Sequence, residues 1–568
     1  MNRVSRVVPE QDATMSALFA DAPLTQPGEA YEITLETVGG HCYPMFKRRH
    51  KNLTQLLYAG RQFAGREALV VGDLRLTYEE LIARVETGAQ WLRNKCGVRQ
   101  GDRVAIYAEN SAEWVIAFWS ITSLGGVAVA MNGWWTEAEF ADAWALTSPR
   151  LLLVDDKRLA RLSDASRPAA MHSIREIMHA DEAPVELATG LIAEDDPALI
   201  LFTSGTTGRA KAVQISHLGE LGFVQTNQYA AACGLATMGL TLKDKPPSTV
   251  LGIAPFFHMS GVGGLILFTY AMGDKLVLQP GRFDPEAVLK LIESERVTTW
   301  TLLGGMGPMV IETASRVEYD LSSVNVITFG GSRVSPKTVS ALRQIFPNAA
   351  CNTSIGYGAT ETVSVPVGFG GAEFEENPAA TGSVNILHSL QIRNAAGECC
   401  GDGEEGEIWV RSAFTMQKYV NDEDATNAVF DDDRWYKTGD IGRIENGLLY
   451  VNARARDLII RSAENIYPAE IENMLDSYVG VIESAVVGLP HAIHGQVPAG
   501  VIVVDSPSDF ALDAMREWLA QRLAPFKIPE CWRVVSRPLS RNHAGKIIKE
   551  SVLQLFSDEQ GECGHQLK

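Results

Sequence analysis

The sequence lacks an excess of basic residues, long uninterrupted apolar runs and low-complexity tracts. Its 568 residues include 50 Lys or Arg against 69 Asp or Glu, which gives a formal net charge of −19. This balance disfavours broad attraction to nucleic acid or anionic lipid, so no nucleic-acid partner is expected. With 46% hydrophobic and 21% charged residues, the composition is that of a globular protein with a large core, and disorder is not expected.

Cysteine is scarce and follows no recognisable pattern. The eight cysteines match no zinc-ligand spacing, and the adjacent pair Cys399-Cys400 is a poor candidate for a disulfide. Free thiols in a reducing cytoplasm are the simplest interpretation. The first 15 residues lack the apolar segment of a signal peptide, which supports the same expectation of a cytoplasmic location.

Two uncharged stretches come nearest to membrane spans, and both are interrupted by small or polar residues. Trp114 to Met131 contains Gly125-Gly126, and we interpret it as a buried helix followed by a buried strand. Ser248 to Gly273 contains a proline and several glycines, which predicts a strand, a loop and a helix packed inside the protein. We therefore expect no integral membrane segment.

Short β-branched runs alternate with helical periods along the chain, which favours an α/β fold with largely parallel sheets. Buried strands are predicted at 104–107, 151–154 and 199–202. Residues 78–95 are predicted to form an amphipathic helix, because Leu81, Val85, Ala89 and Leu92 fall on one face. Thr77 and Glu80 have the spacing of a capping box, which supports the predicted start.

A change in composition predicts a second domain at the C-terminal end. The chain becomes charged at Arg454 to Asp457, and about 110 residues follow, enough for a small independent domain. That segment has strands predicted at 484–489 and 500–504. We predict an N-terminal domain of residues 1–455 and a C-terminal domain of residues 456–568.

The strongest chemical signal is a hydroxyl-rich loop that follows the predicted strand 199–202. Glycines let backbone N–H groups approach a polyphosphate, hydroxyls add donors, and a lysine supplies a point charge. A kinase-type phosphate loop would end in Gly-Lys-Ser/Thr, whereas here Gly208 is followed by Arg209-Ala210-Lys211. Taken alone, the segment is also compatible with a Ser/Thr/Gly surface turn.

Two further segments pair glycine or aromatic residues with one reactive side chain. His258 lies among aromatics and can line an acyl pocket, although a core histidine is the alternative. Tyr357 has glycines on both sides, which leaves space for a flat ring. Glu361 follows and offers a hard oxygen ligand for Mg²⁺. A tight turn with an exposed glutamate is the alternative there.

Two polar loops complete the set. Asp440 follows a glycine turn and can accept both hydroxyls of a ribose, as acidic residues do in other nucleotide sites. Lys546 lies in a polar loop close to the C-terminus. Each is equally compatible, by itself, with a solvated charge.

In their order and spacing these segments resemble the adenylate-forming superfamily, which comprises acyl-CoA synthetases, firefly luciferase and peptide-synthetase adenylation domains. The resemblance extends from about Leu53 to Val552. It implies a large N-terminal region of stacked α/β subdomains with a distorted β-barrel portion, and a small mobile α+β C-terminal domain. It also implies ATP, Mg²⁺ and coenzyme A as cofactors and a carboxylic acid as substrate; whether the chain forms a homodimer is left open.

The resemblance further implies a role for each site residue. The residues expected to bind ATP are Thr203, Ser204, Gly205, Thr206, Thr207, Gly208, Lys211, Gly331, Ser332, Tyr357, Gly358, Thr360, Asp440 and Arg454. Those expected to bind the acyl substrate are His258, Gly305, Met306, Gly330 and Gly356. Catalytic roles are expected for Lys546, His258, Glu361 and Thr203, with Glu361 as the Mg²⁺ ligand. Arg456 is expected to be the hinge about which the small domain rotates.

The function that follows is ATP-dependent activation of a medium, long or bulky acyl substrate, with fatty acids among the candidates. The acyl-adenylate would then form a thioester with coenzyme A. Ala463 lies where the resemblance implies a glycine-bearing loop along the thiol tunnel, so a carrier protein or the substrate's own hydroxyl stays an alternative acceptor. An inactive acyl-nucleotide binding protein is the alternative from another class.

Overall fold

The computed structural model describes residues 19, 22–203, 210–303, 306–330, 336–349, 353–377, 379–454, 457–461, 464–491, 493–541 and 546–557. The strands in these residues are β1 (Ile33–Val38), β2 (His41–Phe46), β3 (Glu67–Val71), β4 (Leu74–Thr77), β5 (Arg103–Tyr107), β6 (Val127–Ala130), β7 (Leu151–Val154), β8 (Met171–Ser173), β9 (Pro197–Thr203), β10 (Lys211–Ser216), β11 (Thr249–Gly252), β12 (Lys275–Leu278), β13 (Thr299–Leu303), β14 (Val326–Gly330), β15 (Thr353–Tyr357), β16 (Val367–Gly370), β17 (Ser383–Val384), β18 (Ser389–Arg393), β19 (Glu405–Arg411), β20 (Lys418–Tyr419), β21 (Tyr436–Glu445), β22 (Leu448–Arg454), β23 (Ile459–Arg461), β24 (Glu464–Ile466), β25 (Glu483–His491), β26 (Gly495–Val503) and β27 (Cys531–Val535).

The helices are α1 (Leu53–Ala59), α2 (Tyr78–Asn94), α3 (Ala112–Ser123), α4 (Glu137–Thr147), α5 (Asp156–Leu159), α6 (His217–Ala236), α7 (Thr269–Ala271), α8 (Pro285–Glu295), α9 (Met306–Ala314), α10 (Pro336–Ile345), α11 (Ala372–Glu376), α12 (Glu423–Val429), α13 (Pro468–Ser477), α14 (Leu512–Ala520) and α15 (Lys549–Gln554). A π-helical segment, Ser260–Phe268, precedes α7. Short 3₁₀ turns lie at Gly60–Phe63, Ile174–His179, Pro347–Ala349, Thr360–Thr362, Pro507–Asp509 and Pro525–Lys527.

Local sequence accounts for where the principal helices begin. The Thr77 hydroxyl accepts from the Glu80 backbone N–H, and the Glu80 carboxylate accepts from that of Thr77, so α2 starts with the predicted capping box. Thr136 and Glu139 repeat the arrangement at α4. These reciprocal bonds satisfy backbone donors that the first helical turn leaves without partners.

The first large sheet has seven strands in the order β20-β10-β9-β6-β5-β7-β8. The strands from β9 to β8 are parallel, whereas β10 and β20 are antiparallel additions. The predicted strands at 104–107, 151–154 and 199–202 are confirmed as β5, β7 and β9. The predicted helix and strand in 114–131 are likewise confirmed as α3 and β6.

The second large sheet has nine strands in the order β17-β16-β15-β14-β13-β11-β12-β3-β4. Its six central strands, β15 to β3, are parallel. Because the carboxyl ends of parallel strands meet at one edge of a sheet, Gly330 at the end of β14 and Tyr357 at the end of β15 lie at the same edge. The segment that carries His258 follows β11 and leaves the sheet at that edge too.

The third sheet is antiparallel, with four strands in the order β18-β19-β21-β22. It lies in the N-terminal region, in which the resemblance implies a distorted β-barrel portion. A bridge between Gly382 and Leu449 connects its β22 edge to the region just before β17 of the second large sheet.

The C-terminal segment folds around its own sheet, in which β24, β23, β26 and β25 pair in that order and β27 adds in parallel to β26. Helices α13 and α14 pack on this sheet, and their buried residues form a cluster with Ile459, Ile502 and Trp532. The expected α/β fold with a large N-terminal region and a small C-terminal domain is therefore confirmed. The predicted boundary at 455 and 456 lies outside the described residues and stays a prediction.

Across the residues that the structure describes, no helix combines the length and the apolar character that a membrane crossing requires.

Candidate active site

The edge of the nine-stranded sheet brings together two of the predicted nucleotide residues. Tyr357, at the end of β15, donates a hydrogen bond of 2.7 Å from its hydroxyl to the Oδ2 atom of Asp440. The two residues are 83 positions apart in the chain. Asp440 is only 6% exposed, so its carboxylate faces the protein and not bulk water. An aromatic face and a carboxylate thus adjoin each other, as a nucleoside site requires.

The position of Asp440 depends on the turn that precedes it. Gly439 has a φ of +71°, which a residue with a side chain rarely adopts. Its N–H donates to the Oε1 atom of Glu407 at 3.2 Å, and the N–H of Asp440 donates to the hydroxyl of Thr438 at 3.1 Å. Across the sheet, Asp440 pairs with Arg454 at the end of β22. The backbone of Arg454 is therefore adjacent to Asp440.

A second set of contacts joins Lys211, at the end of the hydroxyl-rich loop, to Glu361. The Tyr419 hydroxyl donates to the Oε1 atom of Glu361 at 2.8 Å, and the Nζ atom of Lys211 lies 4.6 Å from the centre of the Tyr419 ring. Burial and the neighbouring Glu361 carboxylate raise the pKa of Tyr419 well above its usual value. The phenol therefore stays protonated and can keep donating to Glu361. Tyr419 was not predicted from the sequence.

The hydroxyl-rich loop connects the antiparallel strands β9 and β10. Thr203 ends β9, and Lys211, which begins β10, is its direct partner in the sheet. The loop is thus closed at its base by strand pairing, which fixes the positions of its first and last predicted residues. Ser204, Gly205, Thr206, Thr207 and Gly208 lie outside the described residues.

The glycine after Tyr357 is required by close backbone approach. A Cβ atom on Gly358 would lie 2.9 Å from the carbonyl oxygen of Ser364, closer than real contacts allow. A Cβ atom on Gly356 would instead meet the end of the Val365 side chain, also at 2.9 Å. The two predicted glycines therefore serve local packing around Tyr357. Thr360 and Glu361 follow in the 3₁₀ turn Thr360–Thr362.

His258 lies in a loop that a side chain from another loop, the one between β5 and α3, holds in place. Asn110 donates to the carbonyl oxygen of Ala254 at 2.9 Å and accepts from the N–H of Phe256 at 3.0 Å. His258 is half-buried, and its ring centre lies 4.8 Å from that of Phe257. Its carbonyl accepts from the N–H of Val262 at the start of the π-helical segment. Asn110 is a supporting residue that no motif indicated.

The remaining predicted residues are placed only in part. Met306 begins α9 and packs at the boundary of two apolar clusters. Lys546 is exposed and adjoins Ile547, which forms a bridge with Arg541. The predicted residues Gly305, Gly331, Ser332 and Arg456 lie outside the described residues.

The described residues suit a metal ion that the nucleotide helps to bind. They contain no group of three or more His, Cys, Asp or Glu side chains able to hold a metal ion. Mg²⁺ usually takes one or two carboxylates together with phosphate oxygens and water. Glu361, which contacts the same Tyr419 side chain as Lys211, fits that pattern. The Oε1 atom accepts from Tyr419, which orients the carboxylate.

Comparison with known proteins identifies a family for the chain. The profile of the family described as AMP-binding enzyme matches residues 57–420, and that of the AMP-binding enzyme C-terminal domain matches residues 470–546. The chain is 32% identical over 489 residues to a 2-succinylbenzoate–CoA ligase of Bacillus licheniformis, covering 86% of this chain and 96% of the relative. It is 31% identical over 490 residues to a feruloyl-CoA synthase of Amycolatopsis, covering 85% and 95%.

A solved structure shows the same fold. The o-succinylbenzoate CoA synthetase (MenE) of Bacillus subtilis, in complex with its acyl-adenylate intermediate, superposes with a TM-score of 0.75 at 29% identity, covering 91% of this chain and all of that one. The same enzyme has also been solved with ATP and a magnesium ion.

The chain belongs to the AMP-binding enzyme family, within the adenylate-forming superfamily that the sequence resembles. It is an AMP-forming acid–CoA ligase, which acts through an acyl-adenylate.

Proposed function

We propose that this ligase activates a bulky, ring-bearing carboxylic acid. The nucleotide base would lie against the Tyr357 ring, with its ribose at the Asp440 carboxylate, and the acyl group would lie beside His258. The observation that carries the proposal is the convergence of four separate sequence segments at one place. Tyr357 contacts Asp440 directly, and Tyr419 joins Glu361 to Lys211.

The proposed acyl site lies along the π-helical segment. Ser260, Gly264 and Phe268 are spaced four residues apart, and all three are half-buried. Every other residue from Gly261 to Leu267 is buried. A Cβ atom on Gly264 would meet nothing within 4 Å, so space is open beside this face. π-Helical turns are rare and often adjoin functional sites. Half-buried His258 lies just before this face.

The similar enzymes support a ring in the acid. The two relatives are named for a feruloyl group and for 2-succinylbenzoate, and both of these carry a benzene ring. A wall of small and apolar residues can accept a flat group of that kind, since it offers contact area with few polar groups to desolvate. Fatty acids of medium or long chain are the second candidate class, and the panel below separates the two.

The chemistry requires two anions to approach each other. A carboxylate oxygen attacks the α-phosphorus of ATP, the bond to the β-phosphate oxygen breaks, and pyrophosphate leaves. Lys211 and Lys546 are proposed to offset the charge that grows in this step. Mg²⁺, when bound at Glu361, supplies Lewis-acid stabilisation of the phosphate oxygens. Thr203, Thr360 and the loop after Thr203 are proposed to orient the phosphates.

In the second half-reaction the thiol sulfur of coenzyme A attacks the acyl carbon and AMP leaves. We propose that His258 lines the route between acyl group and thiol, and that Arg456 is the hinge that turns the residues from 456 onward between the two steps.

Pyrophosphate release with a panel of acids tests the proposal. The panel contains ferulate, 2-succinylbenzoate, octanoate, palmitate and acetate, each with ATP and Mg²⁺. We expect a ring-bearing acid to give the highest kcat/KM, and AMP release to depend on added coenzyme A. Preference for acetate, octanoate or palmitate would contradict the substrate class. Absence of pyrophosphate release with every acid would contradict the proposed site.

A further inference from the structure

A strained backbone turn lies directly after Glu361. Val363 has φ +58° and ψ −54°, a conformation that a β-branched residue rarely adopts. The N–H of Ser364 donates to the carbonyl of Thr362 at 2.5 Å, which makes Val363 the centre of the rare, strained form of γ-turn. Val363 is buried, and its side chain packs beside Gly219 at the start of α6. Such a conformation persists only where the surroundings hold it.

A buried histidine adjoins this turn from a different part of the chain. The Nε2 atom of His388 lies 2.6 Å from the hydroxyl of Ser364, and its Nδ1 atom lies 2.8 Å from the carbonyl oxygen of Ile386. Because a carbonyl only accepts, Nδ1 carries the proton that it donates to Ile386. The Ser364 hydroxyl also lies 3.0 Å from the carbonyl of Thr362. His388 therefore joins the segment before β18 to Ser364, the last residue of the strained turn.

The turn continues into the residues proposed to bind phosphate and metal. Thr362 closes the turn that contains Thr360 and Glu361, and its hydroxyl accepts from the N–H of Ala359 at 2.9 Å. Rotation of the backbone at Val363 would move the Cα atom of Glu361, only two residues away. The Glu361 carboxylate would then leave the Tyr419 hydroxyl that orients it.

We infer that His388 is a positioning residue, which acts through Ser364 to hold the Val363 turn and so to aim Glu361 at the metal-bound nucleotide. The inference rests on the proposed role of Glu361 as the Mg²⁺ ligand. Ser364 is 2% exposed, so its hydroxyl is enclosed and supports its neighbours without meeting substrate. Residues behind a metal ligand commonly change metal affinity 10- to 100-fold when they are replaced.

Binding of ATP with MgCl₂ or with EDTA tests this inference without a known acid. The measured quantity is a ratio for the full-length protein, obtained by calorimetry: the dissociation constant of ATP in EDTA divided by that in MgCl₂. We expect His388→Ala to reduce this ratio ~10-fold and to leave metal-free ATP affinity within about twofold. Glu361→Gln should abolish the Mg²⁺ dependence. His50→Ala, a half-buried histidine elsewhere in the chain, is the matched control and should behave as wild type.

The Val363→Gly background separates positioning from general damage. Glycine adopts positive φ without strain, so the turn no longer needs to be held. We therefore expect His388→Ala to change the ratio less than about threefold in this background. An equal effect of His388→Ala in both backgrounds would overturn the inference.

The outcomes distinguish this inference from the proposed function. If wild type binds ATP equally with and without Mg²⁺, the role of Glu361 fails and the inference fails with it. If Glu361→Gln loses the Mg²⁺ dependence but His388→Ala keeps it, the inference alone is wrong. Should His388→Ala not fold, His388→Gln and Ser364→Ala decide by the same ratio, with folding checked by thermal midpoint.

Discussion

The stability of this ligase should fall as pH rises, because a carboxyl group is buried in α6. Glu220 has no exposed surface, and neither of its oxygens has a hydrogen-bond partner among the described residues. Burial raises the pKa of Glu220 from an ordinary 4.5 to about 8. At neutral pH the folded protein therefore keeps this side chain protonated, whereas the unfolded chain ionises it. The replacement that tests this is Glu220→Gln, which keeps the shape and stays neutral at every pH.

The sign of the effect follows from proton binding. Below pH 4.5 both the folded and the unfolded state hold the proton, so ionisation of Glu220 does not lower the free energy of unfolding. Between pH 4.5 and 8 the folded state holds more protons than the unfolded state, and stability falls as pH rises. A pKa raised from 4.5 to about 8 corresponds to a loss of roughly 5 kcal/mol at alkaline pH.

The assay is the thermal midpoint of unfolding of wild type and Glu220→Gln from pH 5 to pH 9. We expect nearly equal midpoints at pH 5 and a growing advantage of the variant up to pH 8, on the order of 10 °C. Other titrating groups, including His217 one turn away, are present in both proteins and cancel in the difference. Glu517→Gln, the same change at an exposed position of α14, is the control and should give parallel curves. Parallel curves for Glu220→Gln would refute the reasoning.

Three further predictions concern the site. Tyr419→Phe removes the hydroxyl that orients Glu361 and should lower pyrophosphate release ~10-fold at limiting Mg²⁺, with recovery at high Mg²⁺; release unchanged at limiting Mg²⁺ would contradict it. Gly358→Ala places a methyl group 2.9 Å from the Ser364 carbonyl oxygen, so the backbone beside Tyr357 has to shift. We expect ATP binding to weaken at least ~10-fold in calorimetry, because a misplacement of ~1 Å in a site can cost more than ~10-fold in function. Lys546→Ala should block acyl-adenylate formation but spare thioester formation from supplied acyl-adenylate; equal loss of both rates would be inconsistent with its role.

Local patterns in the sequence were sufficient for much of the fold. The capping box at Thr77 and Glu80 and the apolar runs of β5, β7 and β9 involve residues close together in the chain, where spacing alone fixes the geometry. The order of the motifs was specific enough to predict the family. Asp440, Glu361 and Lys211 were predicted as separate site candidates because each combines a reactive side chain with a turn.

Only the tertiary structure decided how those candidates are supported. Tyr419 reaches Glu361 across 58 residues, and Asn110 reaches Ala254 across 144. Neither residue has a local pattern, because its role arises from the sheet pairing and loop packing that bring distant segments together. The sequence by itself therefore determined which residues are candidates for the chemistry. The fold decided which neighbours hold them, since hydrogen bonds between distant segments leave no regular spacing along the chain.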